Sequence, residues 1–458
     1  MKTRVVIAIA CVAFLNEGAY AKEPAHRVLD AREAVKQACA YSPELGRLRA
    51  NIESALLARR EKWREFLPSA SLQYLQDETV NTGARDERSR QVLVTLGYDI
   101  HTGGTTLDEY EVAGYEQLMA RERFRVERTA LVLAVKKEYC ALQGAAGEVE
   151  VQRALLESLR LQRNIIDEEA RHGMATELQR VQADARIAEA EYELSRAQNA
   201  WRAGLMNIRM RIGAPPEEEL AIAPLPDDAG KDETPPRTKD ALTAHALKSR
   251  PEMRQARYAL RAAHAAERIA GRYYLPVVRL SGSYGYRGDR LPLDGRVWSV
   301  GLSVTTAILG STVDDSRGWG EGDYGAQQSA SHNVRMDLWN DPTYARRAKE
   351  ASFAYNEAAR EVERTRARIV LEVERALDRA GETTGLVSLA RTNADLLARQ
   401  AAIEDTRARL GELARYEVLK TYAELAKARL RERSSLAENL AARAELEAAL
   451  GDDDGGSL

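Results

Sequence analysis

Residues 105–171 read TTLDEYEVAGYEQLMARERFRVERTALVLAVKKEYCALQGAAGEVEVQRALLESLRLQRNIIDEEAR, without a proline, and Gly173 follows two positions later. Apolar residues recur within this stretch at intervals of seven: Val135, Leu142, Val149 and Leu156. A period of seven keeps an apolar seam on one side of a helix and requires a partner helix. The stretch therefore predicts a rod of about 100 Å, several times longer than an ordinary globular helix. Taken alone, it is also typical of a generic coiled coil.

A second rod with the same properties occupies residues 343–409. It lacks proline, ends two positions before Gly411, and has its own period of seven: Leu389, Leu396, Ile403 and Leu410. Each rod is followed by a shorter helical stretch, 174–212 or 412–450, that ends at a further glycine, the usual left-handed helix stop. Gly173 and Gly411 are 238 positions apart, as are Gly213 and Gly451. The chain is therefore predicted to be a tandem repeat.

The beginnings of the two halves are also in register. Pro43 and Pro251 each stand where proline is tolerated in the first turn of a helix, and Pro68 and Pro276 close those helices. Both pairs are offset by 208 positions. We therefore expect a first repeat over 22–213 and a second over 237–451. Between them, residues 214–236 contain six prolines among acidic residues, which predicts an extended linker.

After each closing proline the apolar period changes from helical to two, which predicts β-hairpins over 69–101 and 277–308. An apolar face opposite a small, polar face is typical of transmembrane barrel strands, which contact lipid on one side and a water-filled lumen on the other. The expected lipid-facing residues are Val92, Val94, Leu96, Tyr98, Trp298, Val300, Leu302 and Val304. Four strands cannot close a barrel around a lumen, so this interpretation requires an oligomer. A soluble sheet packed on helices is the alternative.

The second half carries an insertion of 30 residues, the difference between the offsets of 238 and 208. We place it within 310–342, a segment rich in glycine up to His332, and expect a peripheral loop. Val334, Met336 and Leu338 alternate once more beyond it. Because helices on one side of a membrane require an even number of crossings, we expect 277–287 and 297–308 to cross. The segment 333–339 is then expected to lie beneath the barrel.

The N-terminus predicts export. Residues 1–21 have a basic start, an apolar run and a small-residue cleavage site, as in a secretory signal peptide. Cys11 allows lipidation as an alternative, although the apolar run continues past it. Residues 452–458 are expected to be a disordered tail. The formal net charge of −3 provides no basic footprint for nucleic acid.

No pattern for catalysis, a cofactor or a metal stands out. None of the six histidines has another histidine at helical ligand spacing, and neither cysteine of the exported chain lies in a metal-ligand motif. Residues 320–325 spell GEGDYG, but a dinucleotide site needs this pattern between a strand and a helix start. We therefore expect no enzyme, no cofactor and no metal site.

The ordered set of features resembles the TolC family of outer-membrane efflux and secretion channels. It comprises the tandem half, the proline-bounded short helix, the hairpin, the entry DIHTGG at 99–104 and the tip ARHGMAT at 170–176. The resemblance implies a homotrimer with two β-hairpins per chain in a 12-stranded barrel, and long α-helical hairpins forming a periplasmic tunnel. The second half departs from the pattern, because its Gly-Gly entry is displaced and its tip, LGELA at 410–414, lacks the threonine.

The resemblance also implies partners and sites. The protein would conduct substrates passively from a periplasmic adaptor and an inner-membrane transporter of the RND or ABC type, in an efflux pump or a type I secretion system. The expected adaptor contacts at the tips are Gly173, Met174, Thr176, Gly411 and Glu412. Positions six and nine past the second-half glycine, which are acidic in related channels, hold Glu417 and Lys420, the candidate aperture residues. The alternative is a periplasmic coiled-coil scaffold or adaptor without a barrel.

Overall fold

The computed structural model describes residues 27–79, 87–215, 220–223, 238–322, 327–413 and 415–451. The signal segment 1–21, most of the linker 214–236 and the tail 452–458 lie outside the described residues. In the described part, no helix is long and apolar enough to cross a membrane.

The two repeats share one order of elements, except that the second has two additional strands before its long helix. The first contains β1 (Arg27–Leu29), α1 (Ala31–Tyr41), α2 (Pro43–Arg64), β2 (Ser69–Thr79), β3 (Glu87–Thr102), α3 (Thr105–Arg171) and α4 (Glu177–Ile212). The second contains β4 (Leu220–Ile222), α5 (Lys239–Ser249), α6 (Pro251–Gly271), β5 (Val277–Gly288), β6 (Gly295–Ile308), β7 (Ser311–Gly322), β8 (Gln327–Asp337), α7 (Tyr344–Arg409) and α8 (Arg415–Leu450). The mainly helical fold class with a strand portion is as expected from the sequence.

Helix α3 is the central element of the chain. It packs against α2 and α6 on the side of the sheet and against α4 and α8 beyond them, while α7 packs on α6 and α8. The helices therefore form a wall four helices wide, α2–α3–α6–α7 at one end and α4–α3–α8–α7 at the other. With 67 residues in α3 and 66 in α7, the wall is about 100 Å tall.

Three of the four residues in the seam predicted in the first rod are buried, and Val149 is half-buried. Val135, Leu142 and Leu156 are each at most 6% exposed. Val135 and Leu142 belong to a core that also takes in α1, α4 and the short parallel pair of β1 with β4. In the same core the hydroxyl of Tyr139 donates to the carbonyl of Leu29 at 2.9 Å, and burial raises the pKa of that phenol to about 12. The middle of the wall is thus its thickest part.

The strands form one antiparallel sheet of six, in the order β2-β3-β5-β6-β7-β8. The expectation of a peripheral loop in the 310–342 insertion is therefore wrong: both β7 and β8 lie within it, and segment 333–339 is largely β8. The sheet has six strands, two more than the four strands of the two expected hairpins. Alternation is weak in β7, because Asp315, Arg317 and Glu321 lie on the apolar face and glycines lie on the other. The β6–β7 turn has two residues with positive φ, Leu309 and Gly310, the geometry of a tight hairpin turn that usually selects Asn-Gly.

An ion cluster around one buried carboxylate fastens the helices beneath the sheet. The carboxylate of Asp108, at the start of α3, is 3% exposed and accepts from Arg268 at 2.7 Å and from Arg272 at 2.6 Å, both near the end of α6. Arg268 also donates to Glu111 at 2.6 Å. The hydrogen bonds to Asp108, and next to Glu111, raise the pKa of the Arg268 guanidinium. The cluster connects the first repeat to the second at the point where both enter the sheet.

We expect Asp108→Ala to destabilise the helical wall by about 2–3 kcal/mol, because two guanidinium groups lose a buried charged acceptor. The matched control is Glu111→Ala, which removes an exposed partner of the same Arg268 and should cost less than about 1 kcal/mol. Unfolding of the detergent-solubilised protein, followed by the helical circular dichroism signal, measures both. Equal effects of the two substitutions would contradict a structural role for the ion cluster around Asp108.

Candidate channel wall, tips and aperture

The register of the sheet puts the candidate lipid-facing residues on one face. Directly paired residues of antiparallel strands share a face. Tyr98 pairs with Leu280 and Leu280 with Leu302; Leu96 reaches Val300 through Gly282 in the same way. Val94 is connected to Trp298 through Tyr284 in the same way. Val92 pairs directly with Tyr286, and Val278 pairs directly with Val304. All eight predicted residues therefore lie on a single apolar face.

The opposite face is small and polar. It carries Thr95, Gly97, Ser281, Ser283, Gly301, Ser303, Ser316 and Gly318. Its charges are paired across strands: Arg279 donates to Asp99 at 2.5 Å and 3.0 Å. An apolar face opposite such a polar one is the arrangement of a barrel wall between lipid and water.

The first tip is a short, capped connection between α3 and α4. Gly173 has φ of 76°, and no atom outside its neighbours lies within 4 Å of the position of a Cβ, so only the backbone requires glycine here. Thr176 begins α4 with a capping box: its hydroxyl accepts from the amide of Gln179 at 3.4 Å, and the Gln179 side chain accepts from the amide of Thr176 at 2.8 Å. Met174 is 71% exposed at the turn.

An ion network behind the first tip was not found from the sequence. Arg163 donates to Asp184 at 2.9 Å and to Asp167, and Arg180 lies 3.0 Å from Asp167. These side chains join α3 to α4 within the last turns before the connection. The i,i+4 spacing of Arg163 and Asp167 was a readable signal, but the partners on α4 depend on the packing of the two helices.

The second tip is similar in backbone and different in side chains. Gly411 has φ of 78°, and the amide of Glu412 donates to the carbonyl of Arg407 at 3.0 Å. The side chain of Glu412 lies 3.4 Å from Arg407. Leu410 is exposed beside the glycine. Each tip therefore presents an apolar side chain next to a glycine stop.

The candidate aperture residues lie just beyond the second tip. Glu417 and Lys420 are both exposed on the first turns of α8, and Val418 between them is fully buried. Thr421 donates to Glu404 of α7 and holds this part of α8 on the rod. The structure thus places both charges at the surface of the wall, about one helical turn apart.

Neither a metal cluster nor a disulfide occurs in the described part of the chain. Burial raises the pKa of the Cys140 thiol to about 11, which disfavours the reactive thiolate. The features that the fold brings together are a two-faced sheet, a tall helical wall and two tips.

Comparison with known proteins agrees with this architecture. The family described as outer membrane efflux protein matches residues 34–214, the first repeat. No curated protein is matched by sequence. Among solved structures, the chain is similar to CusC, with a TM-score of 0.75 and 14% identity, covering 92% of each chain. It is also similar to MtrE of Neisseria gonorrhoeae in its open state, with a TM-score of 0.74 and 18% identity, covering 92% of this chain and 88% of that one. VceC of Vibrio cholerae has a TM-score of 0.71 and 16% identity, with coverage of 92% and 96%.

The two-faced sheet above a tall helical wall is the architecture of the solved outer-membrane channels that the chain resembles. The family described as outer membrane efflux protein is matched by the first repeat, and the whole chain shares the fold of the solved channels.

We expect Gly173→Ala to loosen the first tip by about 1–2 kcal/mol, because a side chain disfavours the left-handed conformation. Gly173→Asn should have a smaller effect, since asparagine tolerates that conformation and space is available for either residue. Limited proteolysis and amide hydrogen exchange of residues 170–180 measure the local opening. If alanine and asparagine loosen the tip equally, the backbone conformation is not what requires glycine there.

Proposed function

We propose that the protein is the outer-membrane exit duct of a tripartite efflux pump. The observation that carries this proposal is a continuous wall in one chain, from an apolar sheet face suited to lipid to helical tips about 100 Å away. The duct would be passive. A type I secretion system would use the same wall, but the efflux family match favours the pump. A periplasmic scaffold has no use for the apolar sheet face.

Exposed seam residues support a homotrimer. On α7 the period-seven residues Leu389, Leu396, Ile403 and Leu410 are between 59% and 71% exposed, while Ala394, Ala401 and Ala408 face the chain's own helices. At the other edge of the wall, α4 exposes Leu178, Val181 and Tyr192. A coiled-coil seam requires a partner. A neighbouring copy would cover the α7 seam with its own α2–α4 edge, and three such contacts would close a tube.

The partners follow from the tips. Met174, Thr176 and Glu412 are exposed beside Gly173 and Gly411, at the end of the wall farthest from the sheet. A periplasmic adaptor that contacts these residues would connect the duct to an inner-membrane transporter of the RND or ABC type. The exposed apolar Met174 suits contact with another protein, since methionine adapts its shape at such surfaces.

We propose that Glu417 and Lys420 border the closed end of the tunnel. In a three-fold assembly each would form a ring, and three glutamates at a constriction would attract cations most strongly at low salt. Lys420, about one turn from Glu417, would offset part of that charge. The alternative is a solvated pair on a helix surface.

Single-channel recording of Glu417→Ala and Lys420→Ala tests the aperture. We expect the first substitution to reduce the preference for cations and the second to increase it, with both effects weaker at high salt. Lys427, on the same helix but a further two turns away, provides the control Lys427→Ala. Unchanged selectivity and conductance in both aperture variants would place the constriction elsewhere.

The exposed period-seven residues of α7 lead to a further prediction. Leu396→Glu should dissociate the detergent-solubilised trimer, because each of three interfaces would lose the burial of a leucine, worth about 1.5–3 kcal/mol, and gain a buried charge. Leu161→Glu is the matched control, since Leu161 is equally exposed but belongs to the central helix α3. Native mass measurement should find monomers only for Leu396→Glu. Intact trimers of that variant would contradict the assignment of this seam to the subunit interface.

A further inference from the structure

The sheet ends in two unpaired edges of equal length. In the described chain β2 pairs only with β3, and β8 pairs only with β7. Each edge strand has 11 residues. Unpaired backbone groups cannot be left exposed to hydrocarbon, so a sheet in a membrane must close on itself or on another copy. Six strands of a single chain leave these two edges for a partner.

The edges lie on the correct sides of the wall for closure between copies. Strand β2 follows α2 at one edge of the wall, and β8 leads into α7 at the other edge. Packing α7 of one copy against the α2–α4 edge of the next would therefore bring β8 beside the neighbour's β2. Because β2 runs away from the helices and β8 runs towards them, the two strands would pair antiparallel, as all other strands of this sheet do.

The third hairpin is fixed to the same helical base as the other two. The carbonyl of Gly310, in the β6–β7 turn, accepts from the amide of Asp341 at 3.0 Å, and the hydroxyl of Ser311 accepts from the amide of Trp339 at 3.1 Å. Chain entry through β5 and exit through β8 makes four crossings, an even number. With both strands of the insertion in the sheet, the second repeat therefore satisfies the requirement for an even number of crossings.

The outward aromatic residues follow the stagger of a barrel. Strands in a barrel are tilted, so a level band crosses successive strands at shifted positions. Tyr286 on β5 pairs with Arg296, two residues before Trp298 on β6. Trp319 on β7 pairs with Val300, two residues beyond Trp298. The aromatic band thus moves two residues towards the helices with each strand and continues onto the third hairpin.

We propose that all six strands of each chain enter the wall, so that three copies close an 18-stranded barrel in which β8 of one copy pairs with β2 of the next. This proposal rests on the proposed trimeric duct. Full overlap of the two strands pairs Ser69 with Asp337 and continues to Thr79 with Gln327. In this register the apolar Leu72 meets Val334 and Ala70 meets Met336. The polar Gln73 meets Asn333 on the lumen side. A shift of one residue would place apolar side chains opposite polar ones along the whole edge.

The dimensions agree with a six-strand share of the wall. Six strands about 4.8 Å apart and tilted by about 40° span roughly 37 Å. Four helices about 9–10 Å apart span about the same width. Sheet and helical wall would therefore match without a step between them. A barrel of 18 strands is wide enough for an aqueous channel.

The outward face of the third hairpin also carries charge, which the pairing accommodates. Asp315 lies 2.9 Å from His332 and 3.9 Å from Arg317, so the acid and the arginine offset each other. In the proposed register Tyr74 of the neighbouring copy lies opposite His332, so its hydroxyl would lie near this group of charged residues. The charges would thus sit beside the subunit boundary.

Paired cysteines across the boundary test the proposal. In a background with Cys39→Ser and Cys140→Ala, the double variants are Gln73→Cys with Asn333→Cys and Leu72→Cys with Val334→Cys. Within one copy the two edges are five strand spacings apart, about 24 Å, whereas a disulfide needs Cα atoms within about 7 Å. Any bond therefore joins two copies. We expect covalent trimers on non-reducing gels of outer-membrane fractions, reversed by a reductant, and none for the four single variants.

Two further variants distinguish the outcomes. Gln73→Cys with Val334→Cys, on opposite faces, should not link. Leu72→Cys with Leu302→Cys would link only if β6 borders the neighbour's β2, as in a 12-stranded barrel, and such a bond would overturn the proposal. Native mass measurement of the same samples separates the two hypotheses. Trimers without β2–β8 links would refute the 18-stranded barrel and leave the duct standing, whereas monomers throughout would refute both.

Discussion

Packing of α3 against helices of both repeats is the interaction on which the structure depends. A helix of 67 residues has no globular core of its own, so its seam must be buried by neighbours along its whole length. The first repeat supplies α2 and α4, and the second supplies α6 and α8. The duplication of the chain thus makes the wall possible, since the short helices of the second repeat, α6 and α8, pack on α3 as well as on α7.

The same packing leaves surfaces that one chain cannot satisfy. The inner helix α3 buries its apolar seam, whereas the outer helix α7 leaves a different period-seven set, from Leu389 to Leu410, exposed. The sheet repeats this asymmetry, with every strand paired on both sides except β2 and β8. Apolar seams and strand edges are left at matching sides of the wall. A single contact with a neighbouring copy would therefore cover the apolar seam and pair the strand edge at the same time.

The junction between sheet and wall carries ion pairs that join the two repeats. Asp108 joins Arg268 and Arg272 directly beneath the strands, and Arg279 pairs with Asp99 on the polar sheet face. The Asp108 contacts connect α3 of the first repeat to α6 of the second. The pair of Asp99 with Arg279 connects β3 of the first repeat to β5 of the second. The charges therefore stabilise the position at which the chain changes from helix to strand.

The sequence by itself determined the repeat, the rods, the glycine stops and the two-faced hairpins, because each depends on local periodicity or on a backbone conformation that few residues adopt. Glycine at 173 and 411 and alternation from Val92 to Tyr98 are signals of this kind. It also determined the family resemblance. The sequence did not predict ion clusters such as Asp108 with Arg268, which are 160 positions apart, because helix packing determines which charged residues meet.

The tertiary structure alone decided the place of the insertion. In β7, Asp315 and Arg317 interrupt the apolar face and glycines fill the other, so the local pattern indicated a loop. Pairing with β6 over 11 residues, from Trp298 with Glu321 to Ile308 with Ser311, makes it a strand. Backbone hydrogen bonds to an existing edge do not depend on side-chain pattern, and they outweigh a weak local preference. The reason is physical: a strand is stabilised by its neighbour, and the neighbour is not visible in the strand's own residues.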